Sequence, residues 1–252
     1  MSDKNTYPNL KKNPIEVAIF EIRHQFLDLD IDVAQFLQLS SLIKEKYPVN
    51  NSGFNRNVHI DELPNGKARA RITSSSVTEV RFISVDKTKT LMINAKVFNL
   101  NITGRYVSWQ ECIAEFQFLW LTFNKFISKR QPFQIIGASV RFLNKFLFKE
   151  FENPTDYFNS VIYSEKQAIV GEVSSYLIRY VTERENKNVQ INVTQGPEPK
   201  MGEDIPYLFD IDAIYKSPIP FRQLWEIYEL LHQLKNETFF SNLTPKTLNL
   251  LS

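Results

Sequence analysis

The sequence predicts an α+β fold, a mainly antiparallel sheet with packed amphipathic helices, and three observations carry that prediction. Runs of β-prone residues recur in pairs around short polar turns, the mark of hairpins rather than of parallel crossovers. Two segments, beginning near Trp109 and Leu224, repeat apolar residues at three- and four-residue steps, which is the helical period. Glycine is scarce, seven in 252 residues, and the closest two, Gly196 and Gly202, stand six positions apart. No Gly-x-Gly turn or phosphate-cradling loop can be drawn from that set, which argues against the usual nucleotide-binding α/β enzymes.

In chain order, residues 15–26 read as a first strand, apolar on both faces at its start and carrying Glu21 and Arg23 later. Asp32 is placed to cap a helix bearing Val33, Phe36, Leu37, Ile43 and Tyr47, which Pro48 stops. Residues 50–57 are polar and read as a loop. Residues 58–63 and 67–73 form a hairpin around Pro64-Asn65-Gly66, a strong turn signal. A second hairpin pairs residues 77–83 with 91–97 across Asp86-Lys87-Thr88-Lys89.

Ser108, three residues before Glu111, has the spacing of a capping box. The helix that follows carries Trp109, Ile113, Phe116, Trp120, Phe123 and Ile127 on one face. Phe118, Leu121 and Phe126 lie off that stripe, so the helix is expected to be covered on more than one side. Cys112 falls within the apolar pattern and reads as a small core residue. Pro132 ends the helix. Residues 135–148 return as a strand with Val140, Phe142, Phe146 and Phe148 on one face, and Arg141, Leu143 and Lys145 on the other.

The charged stretch 149–156 reads as a joint between an N-terminal half, 1–148, and a C-terminal half, 149–252, within one compact body. Beyond it come a short helix over 156–163, a hairpin of 171–183 with 189–195, and a strand over 207–215. A helix with Leu224, Ile227, Tyr228, Leu231 and Leu234 follows, then a last short helix or coil carrying Phe239, Phe240 and Leu243. Both halves run hairpin, strand, tryptophan-bearing helix, so Trp109 and Trp225 read as corresponding anchors of an internal pseudo-repeat.

Composition narrows the class. Hydrophobic residues at 43% and charged residues at 23% are ordinary for a soluble globular protein, and a net charge of +2 argues neither for nor against a polyanion. A single cysteine excludes an internal disulfide and fits a reducing compartment. The first residues lack an apolar signal core, and no run has the length of a membrane span, so a cytoplasmic protein without membrane contact is expected.

Several short motifs, taken together, resemble a family. They are Pro14-Ile15-Glu16 with Glu21-Ile22; Arg81-Phe82-Ile83-Ser84-Val85-Asp86; Tyr106 with Trp109; Gly137 followed by Arg141-Phe142-Leu143-Asn144; and, later, His232, Phe240 and Thr244. The pattern is similar to a sporadically distributed bacterial family of chains of about this length, which carries no assigned activity. The resemblance spans most of the chain. It implies no catalytic residue, and its scattered occurrence suggests accessory genes such as those of defence or toxin–antitoxin loci.

The residues that carry chemistry are few. His24, His59 and His232 have no helical spacing for a metal, and His59 beside Asp61 and Glu62 sits at a turn. No cofactor and no metal site is expected. Glu183-Arg184-Glu185-Asn186-Lys187 matches the Glu-x-Glu-x-Lys of metal-dependent phosphohydrolases, yet a solvated hairpin tip explains Glu183, Glu185 and Lys187 as well. Lys67, Arg69 and Arg71 alternate along a strand and could meet a nucleic-acid backbone, with Arg141 and Lys145 extending the patch.

Glu21, Arg23, Arg81, Asp86, Arg141 and Asn144 are polar groups within apolar strands that coincide with the family-like motifs. They are expected either to fix strand register as ion pairs or to form a binding surface. The first functional reading is a non-enzymatic protein-interaction module, an accessory or inhibitory partner of another protein. A nucleic-acid-binding component and a phosphohydrolase are the alternatives, and homo-oligomerisation stays open.

Overall fold

In a computed structural model, the described residues are 7, 8, 10–27, 31–62, 68–104, 106–149, 151, 153–160, 175–184 and 188–252; for 55–62 and 68–75 only the backbone is described. Nine strands form one sheet: β1 (Ile15–Phe26), β2 (Val49–Glu62), β3 (Ala68–Ile83), β4 (Lys89–Asn94), β5 (Val97–Thr103), β6 (Phe133–Phe148), β7 (Ile178–Arg184), β8 (Val189–Pro197) and β9 (Ile205–Tyr215). Their order is β2-β3-β4-β5-β1-β6-β9-β8-β7, and the sheet is antiparallel. The helices are α1 (Ser40–Ile43), preceded by a 3-10 stretch over Val33–Leu39, then α2 (Trp109–Ile127), α3 (Leu224–Asn242) and α4 (Pro245–Leu251). The α+β reading holds. Among the described residues no helix is long and apolar enough to cross a membrane.

The chain divides into two compact units. One comprises Met1–Phe20, Thr103–Val107 and Gly137–Ser252; the other comprises Glu21–Ile102 and Ser108–Ile136. The boundaries fall inside β1 and β6, so each of these strands contributes to both units.

In the unit of Glu21–Ile102 and Ser108–Ile136, the predicted α2 stripe is the core. Trp109, Ile113, Phe116, Trp120, Phe123 and Ile127 are all buried. Ser108 caps the helix by accepting a hydrogen bond from the Glu111 amide at 3.2 Å. Phe98 of β5 meets Phe116, Trp120 and Phe123 at ring separations of 5.1 to 5.7 Å, within the range where aromatic pairs attract beyond their buried area. The Asp32 cap also forms, accepting from the Ala34 amide at 3.0 Å. The chain after it is mostly 3-10 rather than α-helix.

His24 of β1 sits in this core, fully buried, with the rings of Phe26, Phe123 and Phe133 at 5.0, 5.7 and 5.9 Å. Neither ring nitrogen makes a hydrogen bond among the described residues. Burial lowers its pKa to about 4, against the weaker opposing pull of the Asn94 and Ile22 carbonyls. The folded state therefore holds His24 neutral while the unfolded chain takes up a proton below its ordinary value of 6.5. Stability present above pH 6.5 is lost as the pH falls toward 4. We expect His24→Phe to remove roughly 3 kcal/mol of this acid sensitivity, read as a flatter dependence of urea midpoint on pH between 6.5 and 4.

The other unit packs α3 on β6 and β9. Phe146, Phe158, Phe209 and Phe239 cluster with Tyr207, whose ring stacks on Phe158 at 4.1 Å. A buried polar chain runs beside them. Gln195 donates to the Ser160 carbonyl at 2.9 Å, Tyr207 donates to Gln195 Oε1 at 3.2 Å, and the Tyr180 hydroxyl reaches Ser160 Oγ at 3.1 Å. Burial raises the Tyr207 phenol far above its ordinary range, so it stays a donor. At Gly196 an added methyl group would collide with the Tyr176 carbonyl, so the backbone approach there requires glycine.

Three element readings need correction. Residues 50–57 are strand, not loop: Asn50 to Asn57 pair along β3 from Phe82 to Ser74. The polar composition suggested a turn, but a long partner strand satisfies the backbone. Between the second predicted hairpin and α2 runs an additional strand, β5, paired with β4 through Leu91↔Leu100 and Ile93↔Phe98. Finally, α3 runs unbroken through Phe239 and Phe240 to Asn242, where a separate short helix or coil was expected. The hairpin of β7 and β8 is present, with Glu183 opposite Gln190; residues 161–174 lie outside the described residues.

Candidate functional site

The strand-borne polar residues resolve into local pairs. Glu21 accepts from Arg23 Nε at 2.8 Å and from Asn99 Nδ2 at 3.3 Å. Arg81 pairs with Glu79, its neighbour two residues back on β3. Arg141 grips Asp210 of β9 with Nε at 2.9 Å and Nη2 at 2.6 Å, a two-pronged geometry. Asn144 is buried and donates to the carbonyls of Phe209 at 2.8 Å and Phe142 at 3.3 Å. The Glu21–Asn99, Arg141–Asp210 and Asn144–Phe209 contacts tie neighbouring strands, whereas Arg23–Glu21 and Arg81–Glu79 are pairs within one strand.

Asp86 does something different. Its carboxylate accepts from Ser84 Oγ at 2.6 Å and from the Thr88 amide at 3.1 Å, and these bonds hold its pKa near 2. Ser84 Oγ in turn accepts from the Lys89 amide at 2.9 Å. Lys87, between them, adopts a left-handed backbone with φ of 59°, which the bracketing hydrogen bonds stabilise. The Arg81-to-Asp86 motif thus ends in a rigid turn that holds Val85 out at 67% exposure.

Val85 is linked through Lys46 to exposed apolar side chains of α2. Its amide donates to the Lys46 carbonyl at 3.1 Å, and the Lys46 ammonium lies 5.1 Å from the centre of the Phe118 ring on α2. Phe118 is 43% exposed and Leu121, one turn along the same face, is 48% exposed. Leu42 of α1, four residues before Lys46, is 55% exposed. Of the off-stripe residues for which cover was expected, Phe118 and Leu121 face solvent.

The support beneath this surface is polar and tight. Tyr47 donates to Glu115 Oε1 at 2.8 Å, and Lys89 pairs with the other carboxylate oxygen. Burial, then the Glu115 charge, drives the Tyr47 phenol far above its ordinary range. This cluster joins α1, the Ser84–Lys89 turn and α2 beneath the exposed side chains. Around the patch stand the exposed cations Lys46, Lys87 and Lys125, against the exposed carboxylates of Glu45 and Asp86. Cys112, on the buried side of α2, has its thiol pushed up to about 11 by burial, so it is a poor nucleophile.

The other candidates fall elsewhere. Lys67, Glu185 and Lys187 lie outside the described residues. Arg69 and Arg71 hold register positions opposite Asp61 and His59 on β2. Glu183 is exposed, 3.7 Å from Lys216, and Arg184 meets Glu237 at 3.3 Å. Lys145, the other proposed nucleic-acid contact, lies 3.4 Å from Glu198. No group of three metal-ligating side chains converges among the described residues.

One buried cation was missed altogether. Lys235 of α3 is 6% exposed, with its ammonium 4.0 Å from the centre of the Phe142 ring. Desolvation lowers its pKa to about 7. His232, one turn earlier, is brought down to about 3, first by burial and then by the Lys235 charge, and Asn236 Nδ2 sits 3.1 Å from its Nε2. Lysine is ordinarily exposed, and nothing in the local pattern marks Lys235 as an exception. Compared with known proteins, the chain matches no family model and no curated protein.

Proposed function

We propose that this chain is a protein-interaction module whose docking surface is the Phe118–Leu121 face of α2 with Leu42 and Val85 beside it. The observation that carries the reading is the solvent exposure of two large apolar side chains on a helix whose other apolar face is a finished core. Contiguous exposed apolar surface rimmed by charge is how protein contacts present themselves. The cations Lys46, Lys87 and Lys125 at the rim suit a partner segment that alternates apolar and acidic side chains. The resemblance noted above, with its accessory-gene character, agrees with a partner role.

We also read the two units as repeats of one plan. In each, three consecutive strands, β3-β4-β5 or β7-β8-β9, lead into a 19-residue helix, α2 or α3, with Trp109 and Trp225 near the helix starts. The outward stripe of α3 carries Glu226, Glu229 and Gln233, all exposed, where α2 carries Phe118 and Leu121. Exposed apolar residues are thus a property of α2 rather than of the plan, which favours a function for them.

The test is capture from the native host with the wild-type chain and with Phe118→Asp/Leu121→Asp, each with and without nuclease. We expect one protein to be retained through nuclease treatment by the wild type, and the variant to bind it about a hundredfold more weakly. Both substitutions are at exposed positions, so the variant should unfold within roughly 0.5 kcal/mol of the wild type. Capture unchanged by the double substitution, or lost with nuclease, would refute the proposal.

A further inference from the structure

β2 is the terminal strand of the sheet, 14 residues long, and among the described residues only β3 pairs with it. β4 supports β3 only over Glu79–Ile83, so outward of Phe54 and Val77 the β2–β3 hairpin has no third strand among the described residues. A two-stranded ribbon alone is marginal in water, and a long unpaired edge is a template for another strand. Both register shifts in the hairpin skip residues of β3, Thr78 and Thr73, and leave the run of β2 unbroken. Proteins blunt exposed edges with bulges, yet here the bulges lie on the inner strand.

We infer that the outer edge of β2 pairs antiparallel with β2 of a second copy of this chain, centred on His59. The register follows from backbone parity and side-chain chemistry. Successive residues of a strand direct their N–H and C=O groups to opposite edges, so an outward-directed residue must face another outward-directed residue. Antiparallel self-pairing therefore centres on a residue, not on a peptide bond. Centred on Val58, Arg56 faces Ile60. Centred on Ile60, Val58 faces Glu62. Centred on Asn57, Arg56 faces Val58, and centred on Arg56 two guanidinium groups meet. Centred on His59, Arg56 faces the partner's Glu62, Asn57 faces the partner's Asp61 and Val58 faces the partner's Ile60, each twice by symmetry.

Only that last register matches charge with opposite charge and apolar with apolar, the pairs that stabilise cross-strand contacts. The two ribbons then become one four-stranded sheet. Its one face carries the positions of Val58, Ile60, Ala70 and Ile72 from both copies, which the β2↔β3 register places together. A symmetric contact of this kind closes on itself as a dimer. Seven paired residues per copy make a small interface, so the dimer is reversible and concentration-dependent.

Sedimentation equilibrium over a concentration series tests this. The wild type should gain mass toward twice the monomer as concentration rises. Arg56→Glu and Glu62→Arg, each placing like charges opposite one another twice, should weaken dimerisation about tenfold. The double exchange Arg56→Glu/Glu62→Arg should recover it. With Cys112 buried, a thiol at position 59 is the reactive one, and Cα spacing across an antiparallel pair suits a disulfide. His59→Cys should thus cross-link between chains under copper phenanthroline, and Asn55→Cys should not. A wild type that stays monomeric throughout, a double exchange no better than either single one, or equal cross-linking at both positions overturns the inference.

Discussion

Replacing Lys235 by methionine is expected to stabilise the protein at pH 6 by on the order of 3 kcal/mol and to abolish a rise in stability that the wild type shows between pH 7 and 9.5. The buried ammonium has the Phe142 ring as its nearest compensation, and an aromatic face returns only part of the hydration a lysine gives up. Below pH 7 the folded and unfolded chains both carry the proton, so the full burial penalty is present. Between pH 7 and the ordinary lysine value of 10.5 the folded protein releases the proton and the unfolded chain keeps it. The unfolded state then binds more protons, and stability must rise with pH. Methionine has similar length and no charge, so its curve should lack this rise. Urea unfolding at half-unit steps, stopped at pH 9.5 before exposed tyrosines ionise, reads the difference. A methionine variant no more stable at pH 6 and equally steep would show that Lys235 is solvated in solution.

The second large effect concerns Arg141 and Asp210, and it should be lopsided. Arg141→Ala is expected to destabilise by about 3 kcal/mol, whereas Asp210→Ala should cost about 1 kcal/mol or less. The side chain of Asp210 is 9% exposed, so removing Arg141 strands a carboxylate in a poorly hydrated place. The side chain of Arg141 is 45% exposed, and without Asp210 its guanidinium can turn to water. Chemical denaturation of the two variants with the double Arg141→Ala/Asp210→Ala separates the penalty of stranding a charge from the worth of the pair. Equal single losses would instead indicate that Arg141 is held chiefly by other contacts. If both variants also left partner capture unchanged, the pair would be a register device and not part of the docking surface.

Much of the fold could be read locally because local chemistry dictates it. Ser108 and Asp32 announced their caps, and the Trp109-to-Ile127 stripe announced its buried face, because both signals are set within a few residues. β5 was missed although Phe98, Leu100 and Ile102 alternate with Asn99 and Asn101; Ala95 and Lys96 are weak turn formers and hid the break. Residues 50–57 were misread because asparagine, serine and glycine favour turns in isolation, and only a distant partner strand makes them extended. The exposed apolar face of α2 was half visible: Phe118 and Leu121 stood off the main stripe, but periodicity cannot say whether an off-stripe residue is covered. Lys235 was invisible. It follows the apolar pair Leu231 and Leu234 by one position, and its burial depends on packing against β6, a strand some ninety residues earlier in the chain.

The division of β1 and β6 between the units has a consequence for how the protein is made. The unit that includes the N-terminal residues is not finished until the other end of the chain exists: Pro14 accepts from the Lys145 amide at 2.8 Å, and the Lys12 amide donates to Leu251 at 3.0 Å. On the ribosome, the unit ending at Ile136 can close while the rest is still being synthesised. The N-terminal half of β1 must wait, with Phe20 unpacked, until its partner Phe142 of β6 and the rest of its unit have emerged. Shielding of that waiting strand during synthesis is therefore a determinant of yield that the stability of the finished fold does not report.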